Sequence, residues 1–455
     1  MKNRNLSKWL TLAAMSLGYG VVQLDVTIVN VAIASIGQSF GGGVAALQWV
    51  VSAYTIAFAA FILTAGALGD RIGAKRVFAA GFAIFTLASL ACALAPTLPL
   101  LIAARAVQGF GAAVLVPNSL ALLNHAYPGE RERGQAVSIW AAGASLALTA
   151  GPLVGGGLIT LAGWRSIFLV NLPIGLIGLW LAWSNAKETT RSPHRKIDLS
   201  GQVTAIVALG CLSGAIIEGG ALGWSNRLVI LGCIAFLVAA ASFVFIEQRA
   251  EQPMLPLFLF KNREFSTTAL VGLLVNVAFY GLIFVFSLYF QQVNGLSPLW
   301  TGLAFVPMMA AVFFPNLIAA PIANRIGAKL TIALGAGVAA ASAVALLGID
   351  QGSSYGSIVV QLMAMGAGLG LLVPPLTSTM LGSVDKSRSG IASGVLNAMR
   401  QTGSALGVAL FGSLAGSTAG VLSGLRLALI IAAGLLAASA VAVMVGIPAR
   451  SLSRP

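Results

Sequence analysis

Charged and chemically reactive side chains are scarce in this chain of 455 residues. Asp and Glu together number 12, and the chain has two histidines and three cysteines. Charged residues make up 8% of the sequence, whereas hydrophobic residues make up 58%. This balance is far from that of soluble domains, and long apolar runs of this kind form helices in a bilayer. The composition therefore predicts an all-α integral membrane protein.

The few reactive residues do not form a recognisable catalytic or metal-binding pattern. Cys92, Cys211 and Cys233 lie inside apolar stretches and have neither metal-ligand nor disulfide spacing. His125 and His194 are isolated in predicted loops, and no nucleotide-binding Gly-x-x-x-x-Gly-Lys motif occurs. We therefore expect no metal site, no cofactor, no enzymatic activity and no direct use of ATP.

The net charge of +14 does not indicate nucleic-acid binding. A nucleic-acid binder clusters its basic residues on a solvated face, whereas here they occupy short gaps between apolar runs. A span needs about 20 mostly apolar residues, and on that basis the sequence predicts fourteen transmembrane helices. Most of the 26 Lys and Arg residues fall in the loops on the side of the termini. The positive-inside rule therefore predicts that both termini are cytoplasmic.

A charged loop occurs twice and indicates an internal repeat. GALGDRIGAKR at residues 66–76 returns as APIANRIGAKL at residues 320–330, eight predicted spans later. Two six-helix halves separated by two inserted helices account for this offset. The predicted organisation is a first bundle over 1–184, a linker over 185–198, an inserted helix pair over 199–246, a linker over 247–264, and a second bundle with a short tail over 265–455.

Asp25 is the one acid that lies clearly within a predicted span. An ionised carboxylate there costs about 2.5–3.5 kcal/mol, so such an acid is a functional candidate by default. Gln23, Thr27 and Asn30 share the opposite face of the same helix, which should therefore lie centrally, although the sequence leaves open which face lines a cavity. Glu218 ends a span near the membrane interface and is predicted to be a surface residue.

Two arginines also lie within spans. Arg105 and Arg400 need carboxylate, backbone or water partners there, and either could serve packing alone. Further polar residues that could line a cavity accompany them: Gln108, Asn397 and Gln401.

Six motifs resemble the major facilitator superfamily, specifically its fourteen-helix branch of drug:proton antiporters, over essentially the whole chain. They are the loop at 66–76, LDVTIVNVA at 24–32, RAVQG at 105–109, GPLVGG at 151–156, WRSIFLVNLPIG at 164–175 and GIASGVLNAMRQTG at 390–403. The resemblance implies a fold of two six-helix bundles plus two inserted helices. It also implies transport by alternating access, in a bacterial plasma membrane.

The resemblance further assigns roles to residues. Asp25 and Arg105 would couple transport to the proton gradient, which would be the energy source. The cytoplasmic gate motif would comprise Gly66, Gly69, Asp70, Arg71, Gly73, Lys75 and Arg76. The antiporter motif, which accompanies export in this superfamily, would comprise Gly151, Pro152, Gly155 and Gly156. Close helix packing and fixed turn geometry are the alternative roles for both motifs.

The expected function is proton-coupled export of amphiphilic, cationic compounds, with small molecules, protons and the bilayer as partners. A proton-coupled metabolite exporter or importer on the same fold is the alternative, because a fold alone does not fix direction. The thirteenth predicted span departs from some relatives in having no Asp or Glu. Coupling through an acid in that span is therefore not expected, and no sequence feature specifies a periplasmic partner.

Overall fold

The computed structural model describes residues 2–448 except 193, 195–196, 386–387 and 417–419, and contains no strand in that part of the chain. Its helices are α1 (Lys2–Phe40), α2 (Val44–Ile72), α3 (Ala74–Leu94), α4 (Leu98–Ala126), α5 (Glu130–Ala162), α6 (Ser166–Leu169), α7 (Asn171–Asn185), α8 (Leu199–Leu222), α9 (Arg227–Arg249), α10 (Arg263–Leu288), α11 (Pro298–Ile326), α12 (Ala328–Ala345), α13 (Tyr355–Gly382), α14 (Ser389–Ala415) and α15 (Gly420–Gly446). A π-helical turn, Tyr289–Val293, extends α10.

These helices form fourteen membrane-length rods, which confirms the all-helical fold prediction. Thirteen of the rods, searched over the described residues, are long and apolar enough to cross a membrane. The fourteenth is α14, which is 27 residues long but carries Arg400, Gln401 and many small residues. The length of α14 therefore identifies it as a membrane span, although its hydropathy does not.

The sixth predicted span is divided into α6 and α7. Pro173 lies in the first turn of α7 and has no N–H to donate to the carbonyl of Leu169, where α6 ends. The sequence predicted one span here, and Ser166–Asn185 does form one span of 20 residues, in which Val170 keeps helical angles between the two helices. The break places Asn171 at the start of α7, inside the protein.

The helices pack in two groups, with α1 to α7 in one half and α10 to α15 in the other. Because successive rods run in opposite directions, the N-terminus of α1 and the loop at Gly73 lie at one end, which we call the terminal face. The turns after α1, α3 and α5 lie at the other end, which we call the opposite face.

The inserted helices α8 and α9 pack against each other beside the junction of the halves. Helix α8 contacts both α2 of the first half and α14 of the second. Glu218 of α8, predicted at a surface, is instead half-buried and accepts a hydrogen bond from Trp49 Nε1 at 3.1 Å. Indole and carboxylate thus fasten α8 to α2 near the opposite face.

The two copies of the repeated loop form the same kind of turn. Gly73 and Gly327 each end one helix and begin the next, with φ angles of 107° and 90°. Only glycine adopts such angles without strain. The repeat in the sequence is therefore a repeat of backbone geometry at the terminal face.

Candidate proton-coupling site and the space between the halves

Asp25 of α1 and Arg105 of α4 form an ion pair inside the first half. Arg105 Nη1 donates to Asp25 Oδ2 at 2.5 Å, and the two residues are 1% and 0% exposed, respectively. Arg105 Nε also donates to the Val50 carbonyl at 3.0 Å, and the guanidinium carbon lies 4.3 Å from the centre of the Tyr54 ring. The structure thus brings together the two residues that were predicted to couple protons.

Two amides complete the surroundings of the carboxylate. Gln108 Nε2 donates to Asp25 Oδ1 at 2.8 Å, and Asn171 Nδ2 donates to the same oxygen at 3.1 Å. Both amides also contact Ser89 Oγ of α3. Asp25 therefore has a hydrogen-bond donor on each oxygen, as a buried carboxylate requires.

Sequence reasoning had identified Gln108 but not Asn171 or Ser89. An amide in an otherwise apolar span is a signal, and Asn171 stands in such a span within the WRSIFLVNLPIG motif. Ser89 gave no signal, because a single small hydroxyl among apolar residues is ordinary in a membrane helix.

The opposite side of α1 meets α5 and the second half. Thr27 Oγ1 donates to the Leu148 carbonyl of α5 at 3.0 Å, and Ser287 Oγ of α10 donates to the Asn30 carbonyl at 2.7 Å. Gln23 is half-buried on this side, whereas Thr27 and Asn30 are buried. In this conformation Asp25 faces α4 and α7 of its own half, whereas on the other side of α1 Thr27 contacts α5 and the Asn30 backbone contacts the second half.

Arg400 of α14 lies in the space between the two halves. Its Nη2 donates to Thr377 Oγ1 of α13 at 2.9 Å, and Tyr19 of α1 and Tyr280 of α10 both lie within electrostatic range of its charge. Tyr19 stacks on Trp140 of α5, with ring centroids 4.3 Å apart. Arg400 has no carboxylate partner among the described residues. The space is therefore aromatic and carries a positive charge.

The other two polar residues of α14 have different surroundings. Asn397 is half-buried and donates to the Ser393 carbonyl of its own helix at 3.0 Å. Gln401 is 7% exposed, and its Oε1 accepts no hydrogen bond from the protein. Of the three, Arg400 is the one whose charge acts on residues of both halves, Tyr19 and Tyr280.

Hydrogen bonds between the halves close the opposite face. Gln48 Nε2 at the start of α2 donates to the carbonyls of Val408 and Ala409 in α14, at 2.9 and 2.7 Å. Gln291 Nε2 in the π-helical turn donates to the Val31 carbonyl of α1 at 3.0 Å. The halves are also in contact nearer the terminal face, where a Cβ on Gly394 of α14 would lie 2.8 Å from the Leu63 side chain of α2.

The first two glycines of the antiporter motif, Gly151 and Gly155, pack α5 onto α1. A Cβ on Gly151 would lie 1.9 Å from Thr27 Oγ1, and one on Gly155 would lie 2.7 Å from the Ile28 side chain. Neither glycine has room for a side chain.

The other two residues of that motif contact the second half. A Cβ on Gly156 would lie 2.5 Å from the Pro298 carbonyl oxygen at the start of α11. The Pro152 carbonyl similarly lies 2.3 Å from where a Cβ on Gly302 would stand. The motif therefore joins the two halves at the opposite face through backbone contact.

The gate motif is held by α4 and by the linker after α7. Gly69 lies against Asn118 of α4, and Gly73 lies against Glu188, whose Oε1 accepts a hydrogen bond from Lys75 N at 2.9 Å. Gly66 is in ordinary contact with Pro117. These contacts fix the turn between α2 and α3.

The linker makes further contacts with the same motif. Ser192 N donates to the Asp70 carbonyl at 2.7 Å, and Arg76 Nε lies 3.9 Å from Glu188 Oε2. Arg71 is exposed at this face. The gate role of these residues stays a prediction, and the geometry connects the motif to the segment that leads to α8.

Two helical halves, a buried ion pair in the first and an aromatic space between them define a two-bundle membrane transporter. The family model of the Major Facilitator Superfamily matches residues 15–408, and the chain belongs to that family. The protein is accordingly a multi-pass membrane protein.

Curated relatives are similar over most of the chain. The multidrug resistance protein Stp of Mycobacterium tuberculosis is 38% identical, over 88% of this chain and 75% of the relative. The methylenomycin A resistance protein of Streptomyces coelicolor is 37% identical, over 88% of this chain and 84% of the relative. The tetracenomycin C resistance and export protein of Streptomyces glaucescens is 30% identical, over 88% and 74%.

Solved structures share the fold at low sequence identity. A bacterial homologue of the human lysosomal transporter Spinster, described as inward-facing and unoccupied, is 16% identical with a TM-score of 0.70, over 97% of each chain. A D-xylose–proton symporter is 12% identical with a TM-score of 0.71, over 97% of this chain and 98% of the other.

Proposed function

We propose that this protein is a proton-coupled exporter of amphiphilic, cationic compounds in a bacterial plasma membrane, with both termini in the cytoplasm. The observation that carries the proposal is the buried Asp25–Arg105 pair in a transporter whose relatives are named for drug resistance. Export direction is supported by those names and by the antiporter motif, which closes the opposite face.

Asp25 is the group that would bind the coupling proton. Its negative charge is balanced by Arg105, so adding a proton would leave Arg105 as an uncompensated buried cation. Such a charge drives rearrangement of α1 against α4 until water or another partner solvates it. Proton binding from outside and proton release to the cytoplasm would thus alternate two packings of the first half.

The substrate would enter the space between the halves from the terminal face. Tyr19, Trp140 and Tyr280 offer aromatic surfaces to an apolar body or to an organic cation. Arg400 opposes a high positive charge in the same space. We infer that the preferred cations are monovalent and largely apolar.

Transport into everted membrane vesicles tests the proposal. A monovalent cationic dye should accumulate when the vesicle interior is acidified, and a protonophore should abolish the accumulation. ATP without a proton gradient should have no effect. Dye uptake that needs ATP, or none under either condition, would refute it.

The alternative is a proton-coupled metabolite exporter or importer on the same fold. Comparing right-side-out with everted vesicles distinguishes the two directions. Accumulation of solute only in right-side-out vesicles with an acidic exterior would establish import.

A further inference from the structure

Two acids meet where the inserted helix pair begins and ends. Asp198 precedes α8, and its Oδ1 accepts a hydrogen bond from Gly201 N at 2.7 Å. Glu247 lies in the last turn of α9, is 3% exposed, and its Oε2 accepts from Leu255 N at 3.0 Å. One oxygen of each carboxyl group therefore has a backbone donor.

The remaining two oxygens, Asp198 Oδ2 and Glu247 Oε1, both lie beside Gly201. A Cβ built on Gly201 would lie 2.6 Å from Asp198 Oδ2 and 2.7 Å from Glu247 Oε1. Both oxygens are buried, and neither accepts a hydrogen bond from a donor among the described residues. Two ionised carboxylates so placed repel each other, whereas a single proton between them satisfies both oxygens.

Among the residues that the structure describes, no Lys or Arg forms an ion pair with Asp198 or Glu247. Asp198 is a negatively charged neighbour of Glu247, and α2 presents the neutral Thr64 to the same region. The other titratable or charged groups that the structure describes nearby are His194 in the linker, Arg249 exposed on α9, and Glu251 in the next loop, whereas Arg195 and Lys196 lie outside the described residues.

A cavity at the terminal face approaches the pair on the Asp198 side. A cavity of about 460 Å³ lies between α2, the linker before α8 and the loop after α9, and Asp198 lines it. Gln202, which follows Gly201, donates to the Ala60 carbonyl of α2 at 3.1 Å. Gly201, beside which the two acids meet, is therefore the sequence neighbour of the residue that holds α8 to the first half.

We propose that Asp198 and Glu247 form a proton-binding site that holds one proton between the two carboxyl groups and fastens the end of α9 to the start of α8. Loss of the proton leaves two facing negative charges, which push apart the helix ends and the loop that carries Leu255. The site is separate from the Asp25 network and does not depend on the direction or substrate of transport.

Infrared spectra and thermal unfolding of the purified full chain test the proposal. The native protein should show a protonated-carboxyl C=O stretch at neutral pH, and Glu247→Gln or Asp198→Asn should each remove one such band. Because the folded state holds a proton that the unfolded state releases at lower pH, folding should weaken as pH rises, by up to about tenfold in the equilibrium constant per pH unit. Glu247→Gln should flatten that slope.

The matched control is Glu132→Gln, which removes an exposed acid paired with Lys8 and should leave both the band and the slope unchanged. If Glu247→Gln does not fold, Asp198→Asn and the native protein's own spectrum across pH still decide the matter. An unchanged band and slope in the variants would overturn the proposal. So would stabilisation of the native protein by Na⁺ over choline at neutral pH that Glu247→Gln abolishes, since a metal cation would then occupy the place of the proton.

Discussion

Arg105 Nη1 lies 2.5 Å from Asp25 Oδ2, and the two residues are 80 positions apart on different helices. Each would be a costly buried charge alone, and together they are neutral. The pair also explains why α1 and α4 can carry opposite charges within a membrane. Its proposed role in coupling leads to the first two predictions.

Replacing Asp25 by Asn should abolish proton-driven efflux while the protein still inserts. The amide cannot bind the coupling proton, although it can keep some hydrogen bonds with Gln108 and Asn171. Dye efflux from cells expressing the variant, normalised to the amount of membrane-inserted protein, measures this. Asp350→Asn is the control, because Asp350 is exposed and pairs with Arg426 at the opposite face. Normal pumping by Asp25→Asn would show that another group couples the proton.

The Asp25–Arg105 pair should also contribute to the free energy of unfolding. Asp25→Asn alone leaves Arg105 buried without its counter-ion and should cost about 3–5 kcal/mol. Combining it with Arg105→Gln should recover part of that loss, with a coupling energy of about 0.5–3 kcal/mol. Unfolding midpoints of the two single variants and the double variant in detergent provide the measurement. Strict additivity would contradict the contact.

Gly156→Ala should impair transport more than Gly157→Ala. A Cβ on Gly156 meets the Pro298 carbonyl at 2.5 Å, whereas one on Gly157 meets nothing within 4 Å. The first substitution must separate the halves at the opposite face, and overpacking of this kind costs about 1–3 kcal/mol. Efflux assays with both variants at matched expression test this. Equal activity of the two would mean that the contact is not needed.

Gly73→Ala should destabilise the protein more than Gly327→Ala. Both glycines have positive φ, so each substitution incurs backbone strain of about 1–3 kcal/mol. Only at Gly73 does the new methyl also meet Glu188, at 2.4 Å, whereas Gly327 has open space. Thermal unfolding of both variants should show the difference, and adding Glu188→Ala to Gly73→Ala should reduce it. An equal loss of stability at both sites would mean that the Glu188 side chain moves aside at no energetic cost.

Arg400→Gln should narrow the difference between monovalent and divalent substrates. The guanidinium repels a second positive charge in the space between the halves, and removing it lowers that penalty. Efflux rates of a monovalent and a divalent cation of similar size, in the native protein and in Arg400→Gln, measure the effect. Arg426→Gln, outside that space, is the control. Equal rates for the two cations in the native protein would contradict the charge argument.

The fold was predictable from the sequence because membrane insertion imposes simple rules. Apolar length predicted the helices, and the RIGAK repeat at 71–75 and 325–329 predicted two related halves. The sixth span was also predicted as one, and Ser166–Asn185 forms one, in which Pro173 removes a single backbone hydrogen bond.

Part of the candidate site was predictable for the same reason. Asp25 and Arg105 stood out as charges in apolar spans, and Gln108 stood beside Arg105 in the RAVQG motif. Their mutual contact, and the participation of Ser89 and Asn171, depend on which faces of α1, α3, α4 and α7 meet. Periodicity assigns residues to a face of a helix but does not say which neighbour that face contacts.

The sequence alone determined that this is a helical membrane protein with an internal repeat and a single acid clearly inside a span. These properties follow from the free-energy cost of placing polar groups in lipid, because each segment incurs that cost by itself. The tertiary structure decided that Asp25 faces Arg105 rather than the other half, and that Arg400 occupies the space between the halves. It also decided that Asp198 and Glu247, 49 positions apart, share a buried contact over Gly201. Such pairings arise from packing between distant segments, because only packing selects which of several polar faces meet.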